Sequence, residues 1–245
     1  MRIAIVADIH GNLPALEAVV RDFSRRGVDA VVNLGDSLSG PLLPLETARF
    51  LMAQDWVHIA GNHERQLIAQ GSGRRGASDE FAHSHLTSKE LEWLASLKPS
   101  AQYCPEVLLC HGTPTSDVDY FLETVEPTRI RAATLLEVDA RLGKVEADLI
   151  ACGHTHIPRS VRASTGQLII NPGSVGLPAY DDIHPYPHVI ETGSPDARYA
   201  IVERLANLWV ATLISVSYPY SAMANLARTR QRQDWARALS SGYMS

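Results

Sequence analysis

The feature that most constrains this chain recurs along it: a short apolar run, rich in branched side chains, that stops abruptly at an aspartate, asparagine or histidine. Ile3 to Ala7 ends at Asp8, Ala30 to Leu34 at Gly35-Asp36, and Trp56 to Ala60 at Gly61-Asn62-His63-Glu64. Val107 to Cys110 ends at His111, and Leu149 to Cys152 at Gly153-His154. Runs this short and apolar are the signature of strands covered on both faces. Helical segments lie between them. Asn12 is placed to cap the first, with Pro14 in its first turn and Leu16, Val19, Val20 and Phe23 at i, i+3, i+4 and i+7. A second covers about Leu45 to Ala53. Thr87 and Glu90 form a capping box for a third, through Leu91, Leu94 and Leu97 to Pro99, and a fourth carries Leu135, Val138 and Leu142. Strands alternating with helices predict an α/β fold with parallel strands and right-handed crossovers.

The second half reads as more antiparallel. Arg159 to Ala163 and Gln167 to Ile170 flank Thr165-Gly166 as a hairpin, and Tyr199 to Arg204 with Leu208 to Ser215 form another pair. A Pro-rich loop, roughly Gly176 to Ala197, separates them, and the last 25 residues are expected to hold a helix bearing Arg228, Arg230, Arg232 and Arg237. No internal repeat or interdomain linker is evident. At 245 residues the expectation is one domain over 1–245, with a C-terminal helical extension over 218–245.

Composition excludes several classes of function. A net charge of −5 lacks the basic face of a broad nucleic-acid binder. No apolar run approaches the roughly 20 residues that span a bilayer, and MRIAIVADIHGN lacks the pattern of a signal peptide, so a cytoplasmic location is expected. Cys104, Cys110 and Cys152 have no CxxC spacing and read as reduced thiols packed in strands rather than as ligands.

The carboxyl ends of parallel strands share one edge of a sheet, and ligands bind there. That edge would gather Asp8, His10, Asp36, Asn62, His63, His111, His154 and His156. Two histidines one residue apart at a strand end ask for a shared partner, be it a metal, a phosphate or a hydrogen-bonded turn. Oxygen and imidazole donors without thiolate suit Mn, Fe or Zn in a catalytic site. Without His63, the candidates are still too many for one tetrahedral ion. They fill two sites if one carboxylate bridges, which describes a pair of ions about 3.5 to 4 Å apart that lowers the pKa of a bound water towards about 7.

The ordered series Asp8-x-His10, Gly35-Asp36, Gly61-Asn62-His63-Glu64, His111-Gly112 and Gly153-His154-Thr155-His156 resembles the calcineurin-like metallophosphoesterases over about residues 1 to 215. The compact length and the run Asn171-Pro172-Gly173-Ser174-Val175-Gly176 are similar to the small bacterial and archaeal members, some of which resemble diadenosine polyphosphate hydrolases or protein phosphatases. The resemblance implies a four-layer α-β-β-α sandwich with two mixed central sheets. It also implies two divalent or trivalent ions (Mn, Fe, Zn or Ni, with Mn foremost in vitro). The first would be held by Asp8, His10, Asp36 and His156, the second by Asp36, Asn62, His111 and His154. His63 would contact the leaving oxygen or the phosphoryl group, Glu64 would orient neighbouring groups, and a metal-bound hydroxide would attack a phosphate monoester, diester or anhydride. Small phosphorylated molecules or phosphoproteins are the implied substrates. Two departures, Glu64 where Asp is commoner and a Gly35 to Gly40 segment one residue short, touch substrate contacts rather than ion ligands.

Each signal also has a simpler reading. A non-catalytic docking scaffold of the same fold should have lost ligands, and a nuclease is disfavoured by the acidic charge. Asn171 to Ser174 reads as a turn or as backbone lining the site. Asp181, Asp182, His184 and His188 read as an exposed loop or as a lid over the substrate. His83 and His85 read as helix-surface residues, and the terminal arginines as a solvated helix face or as groups that steer phosphate.

Overall fold

A computed structural model describes residues 1–69, 75–206 and 208–245. The first half runs β1 (Arg2–Val6), α1 (Leu13–Arg26), β2 (Ala30–Asn33), α2 (Pro44–Met52), β3 (Val57–His58), α3 (Asn62–Ile68), α4 (Ala77–His85), α5 (Ser88–Ser96), β4 (Ser100–Cys104) and β5 (Val107–Cys110). The second runs β6 (Glu123–Glu126), β7 (Arg129–Ala132), α6 (Leu135–Leu142), β8 (Leu149–Ala151), β9 (Arg159–Arg162), β10 (Leu168–Asn171), β11 (Ala179–Asp182), β12 (His188–Glu191), β13 (Ala197–Leu205), β14 (Leu208–Val216), α7 (Tyr220–Thr229) and α8 (Gln233–Ser241).

Two five-stranded mixed sheets form the centre, ordered β14-β13-β1-β2-β3 and β4-β5-β8-β10-β9. In the first, β1, β2 and β3 are parallel, with β13 antiparallel to β1. In the second, β5, β8 and β10 are parallel and flanked by antiparallel β4 and β9. Pleating explains the layering, because alternate side chains of one strand face opposite ways. Ile3, Ile5 and Ala7 pack between the sheets against Leu109, Leu149, Ala151 and Ile170. Ala4 and Val6 face the other way, onto Leu16, Val19 and Phe23 of α1. On the second sheet Ile150, Cys152 and Ile169 turn outward to Val138 and Leu142 of α6. The result is the expected helix-sheet-sheet-helix sandwich.

Several elements differ from the sequence reading. The Pro-rich segment is not only a loop, since β11 and β12 pair antiparallel within it. The β6-β7 hairpin and β4 were not anticipated; polar strands such as ETVE and RIRA carry too few apolar residues to register as strands. The C-terminal segment holds two helices instead of one, broken at Arg230–Arg232, where Gln231 takes a left-handed φ of 60°. Cys110 and Cys152 are buried as expected, whereas Cys104 is only partly so. No described helix is long and apolar enough to cross a membrane.

Candidate metal centre

Because β1, β2 and β3 run together in one sheet, and β5 and β8 in the other, their carboxyl ends deliver the polar residues to a common edge. The loops are laced in parallel: the N–H of Asp8 donates to Gly35 O, that of His10 to Asp36 O, and that of Gly153 to His111 O. Five of the candidate residues, Asp8, His10, Asp36, His154 and His156, adopt left-handed φ values between 51° and 71°. Non-glycine residues rarely do so, and each instance costs about 1–3 kcal/mol, which marks this edge as a place where conformation serves a site.

Two triads result. Asp8, His10 and His156 each offer a ligand atom, all within 4.8 Å of one another, and so do Asp36, His111 and His154. Tautomers follow from the partners. His10 Nδ1 lies 2.8 Å from Ser39 O, His156 Nδ1 2.7 Å from Leu177 O, and His111 Nδ1 2.7 Å from Leu34 O. A carbonyl only accepts, so each Nδ1 carries the hydrogen and each neutral ring turns an Nε2 lone pair toward the site. The Nε2 atoms of His10 and His156 stand 3.2 Å apart. Two lone pairs at that distance repel unless a cation lies between or beside them. Beside the second triad the buried Asn62 Oδ1 has no hydrogen-bond partner, and His111 Nε2 faces Asp36 Oδ2 alone, at 3.1 Å. These donors of electron pairs, together with two buried carboxylates, fit a pair of hard-to-borderline cations.

The electrostatics are sharply divided. Burial and the neighbouring His156 push the His10 imidazole down to about 4, and burial with His111 does the same to His154. Burial also opposes charge on His111, but Asp36, whose Oδ2 is 3.1 Å from Nε2, outweighs it and lifts the ring to about 10, so a cation would have to displace the Nε2 proton to take up that lone pair. Asp36 is held well below the carboxylate range: burial opposes this, and His111 and His63 overcome it.

His63 sits at the start of α3, where its N–H donates to Asp36 Oδ1 at 3.0 Å. Its Nδ1 lies 2.7 Å from Oδ1 of Asp79, a residue of α4 that is 4% exposed. Burial disfavours the charged ring, but Asp36 and Asp79 raise its pKa to about 9. Asp79 was missed in the sequence because an acid in the first turn of a helix is expected for the helix dipole alone. Glu64 is fully buried and does not line the cavity; its carboxylate accepts from the N–H groups of Asp36, Ser37 and Gly61, each at 2.8 Å. It pins the Gly35–Ser37 turn to the first turn of α3. Asn171 to Gly176 is buried and braces the site from behind: Asn171 Nδ2 donates to Gly153 O and Thr155 Oγ1, and Ser174 Oγ donates to Asp8 O.

The triads open into a cavity of about 950 Å³. Asp181, Asp182 and His184 of the β11-β12 segment line it, while His188 is buried against Tyr120, 2.9 Å from its hydroxyl. His85 is exposed on α4 and His83 half-buried there. Of the C-terminal arginines, Arg228 and Arg237 are solvated, Arg230 donates to Pro41 O and Leu42 O, and Arg232 lines the cavity.

A family profile described as the calcineurin-like phosphoesterase superfamily domain matches residues 1–192. The chain belongs to that superfamily. It is a metal-dependent phosphoesterase. Among relatives of this metallophosphoesterase, phosphodiesterase YfcE of Escherichia coli K12 is 26% identical over 182 residues, which cover 73% of this chain and 81% of that protein. An uncharacterized protein of Methanocaldococcus jannaschii is 27% identical over 199 residues, covering 72% and 76%. The crystal structure of a metallophosphoesterase from Sphaerobacter thermophilus superposes with a TM-score of 0.79 at 25% identity, over 99% of each chain. A hypothetical protein from Pyrococcus horikoshii shares the fold, with a TM-score of 0.77 at 16% identity over 100% of this chain and 99% of that one.

Proposed function

We propose that the chain hydrolyses a small phosphate ester at two cations, one held by Asp8, His10 and His156, the other by Asn62, His111 and His154, with Asp36 shared between them. The observation that carries this reading is the facing pair of Nε2 lone pairs on His10 and His156, 3.2 Å apart, beside a second triad and the unpartnered Asn62 Oδ1. When bound, such ions supply Lewis acidity, lowering the pKa of water and offsetting charge on a phosphoryl group. The remaining work falls to the chain. Backbone carbonyls fix the imidazole tautomers, so the ligand atoms need no reorganisation. Glu64 and the Asn171–Ser174 brace hold the strained loops in register. His63, aimed by Asp79, donates a hydrogen bond to the leaving oxygen or a phosphoryl oxygen.

The relative named a phosphodiesterase favours diesters as the first substrates to try. We assign Mn, Fe, Zn or Ni as the metal, a cytoplasmic location, and one domain whose C-terminal helices extend it. The test is metal analysis together with turnover of p-nitrophenyl phosphate and its bis ester in the presence of Mn. Asp36→Asn should lose activity and metal while staying folded; full activity in that variant refutes the shared carboxylate.

A further inference from the structure

The helices α7 and α8 lie beyond residue 192, where the family match ends. They are nonetheless part of the site's wall. Met223, Ala224, Ala227, Trp235 and Leu239 pack on Leu42, Leu177 and Ala179, all in loops or strands that flank the triads. The Trp235 ring occupies the space that a side chain at Gly40 would need, since a Cβ there would lie 2.4 Å from Cη2. That ring stands 5.9 Å from the His10 ring and 5.6 Å from the Arg232 guanidinium.

Arg232 is built into position rather than loosely solvated. Its Nε and Nη2 donate to Asp234 at 3.0 and 2.6 Å, its Nη1 donates to Ser78 Oγ at 3.0 Å, and its side chain is only 23% exposed. A guanidinium has five N–H donors, so these three bonds leave two for the cavity that it lines. The other arginine in that lining, Arg141, is turned to Phe121 O, Glu123 O and Thr124 Oγ1. The hydrogen bonds of Arg232 go to Asp234 and Ser78 and to no residue of the triads, so the guanidinium stands apart from the ion ligands.

We propose that Arg232 is a specificity-determining residue: it binds a second anionic group of the substrate, beyond the scissile phosphoryl group, so that esters carrying an additional carboxylate or phosphate are selected. The inference rests on the phosphoryl group docking at the two triads. Arg232, already paired with Asp234 at 2.6 Å, has to outweigh Asp119, Asp181 and Asp182, which share the lining.

The test is equilibrium titration of the Mn-loaded full-length protein with methylphosphonate and with phosphonoacetate, which differ by one carboxylate. Phosphonoacetate is expected to bind about tenfold tighter, the scale of one charge-assisted bidentate contact. Arg232→Gln should erase that gap and leave methylphosphonate within twofold of its wild-type affinity, while Arg232→Lys should retain part of it. Equal binding of the two ligands by the wild-type protein overturns the proposal without any variant, and a gap that survives in R232Q does the same. If neither ligand binds, the reading of the triads fails and takes this one with it.

Discussion

At the scale of single residues, the site depends on atoms that are missing as much as on those present. A Cβ at Gly61 would lie 2.2 Å from Asp36 Oδ1 and 2.8 Å from His111 Cε1, so only glycine lets Asp36 and His111 of the second triad close on one another. Gly61→Ala should displace Asp36 by a substantial fraction of an ångström and lower kcat/KM about 100-fold, with reduced metal content in the same preparation. Asp79 makes a different prediction, because it touches only His63 among the candidate residues. Asp79→Asn should reduce kcat roughly 10- to 100-fold with little change in KM and full metal content. Loss of metal in that variant would show Asp79 to be structural. The candidate ligands were legible because each follows an apolar run in a fixed order. Asp79 was not, because nothing in ASDEF says which histidine it meets.

At the scale of elements, the Asn171–Gly176 segment shows how a turn-forming sequence acquires another task. Its amide and hydroxyl tie the Gly153–His156 loop to the Asp8 loop across the two sheets. Ser174→Ala leaves Asp8 O and the N–H of Leu177 without that partner. The expected cost is about 1–3 kcal/mol, read as a fall in Tm of several degrees. Parallel strands and their helices were readable from periodicity. The β6-β7 and β11-β12 hairpins were not, because their exposed faces are polar and their pairing depends on neighbours distant in sequence.

For the whole molecule, five left-handed residues at one edge amount to a store of strain that bound ions would offset. At 100 times Kd, Mn should add about 2.7 kcal/mol of stability, a rise in Tm on the order of 5–10 °C that a chelator reverses. Stability should also fall in mild acid through His58, wedged between Trp56 and Trp93, whose pKa burial lowers to about 4. An unfolded histidine titrates near 6.5, so the unfolded chain takes up the proton first, and stability declines as pH falls from about 6.5 to about 4. His58→Phe removes that difference and should lose less Tm than the wild type between pH 7.5 and 4.5, by the equivalent of about 2.5 kcal/mol. Equal losses in the two proteins would count against it. The sequence by itself determined the alternation of strand and helix and the polar residues that end each strand, since these depend on periodicity and chain order, while the sandwich was implied by the family resemblance of the ordered motifs. Only the tertiary structure decided which imidazole nitrogen faces inward, which carboxylate meets His63, and that Arg232 stands in the wall of the cavity. Those facts arise from contacts between residues up to 154 positions apart, such as Arg232 on Ser78, and local pattern carries no record of them.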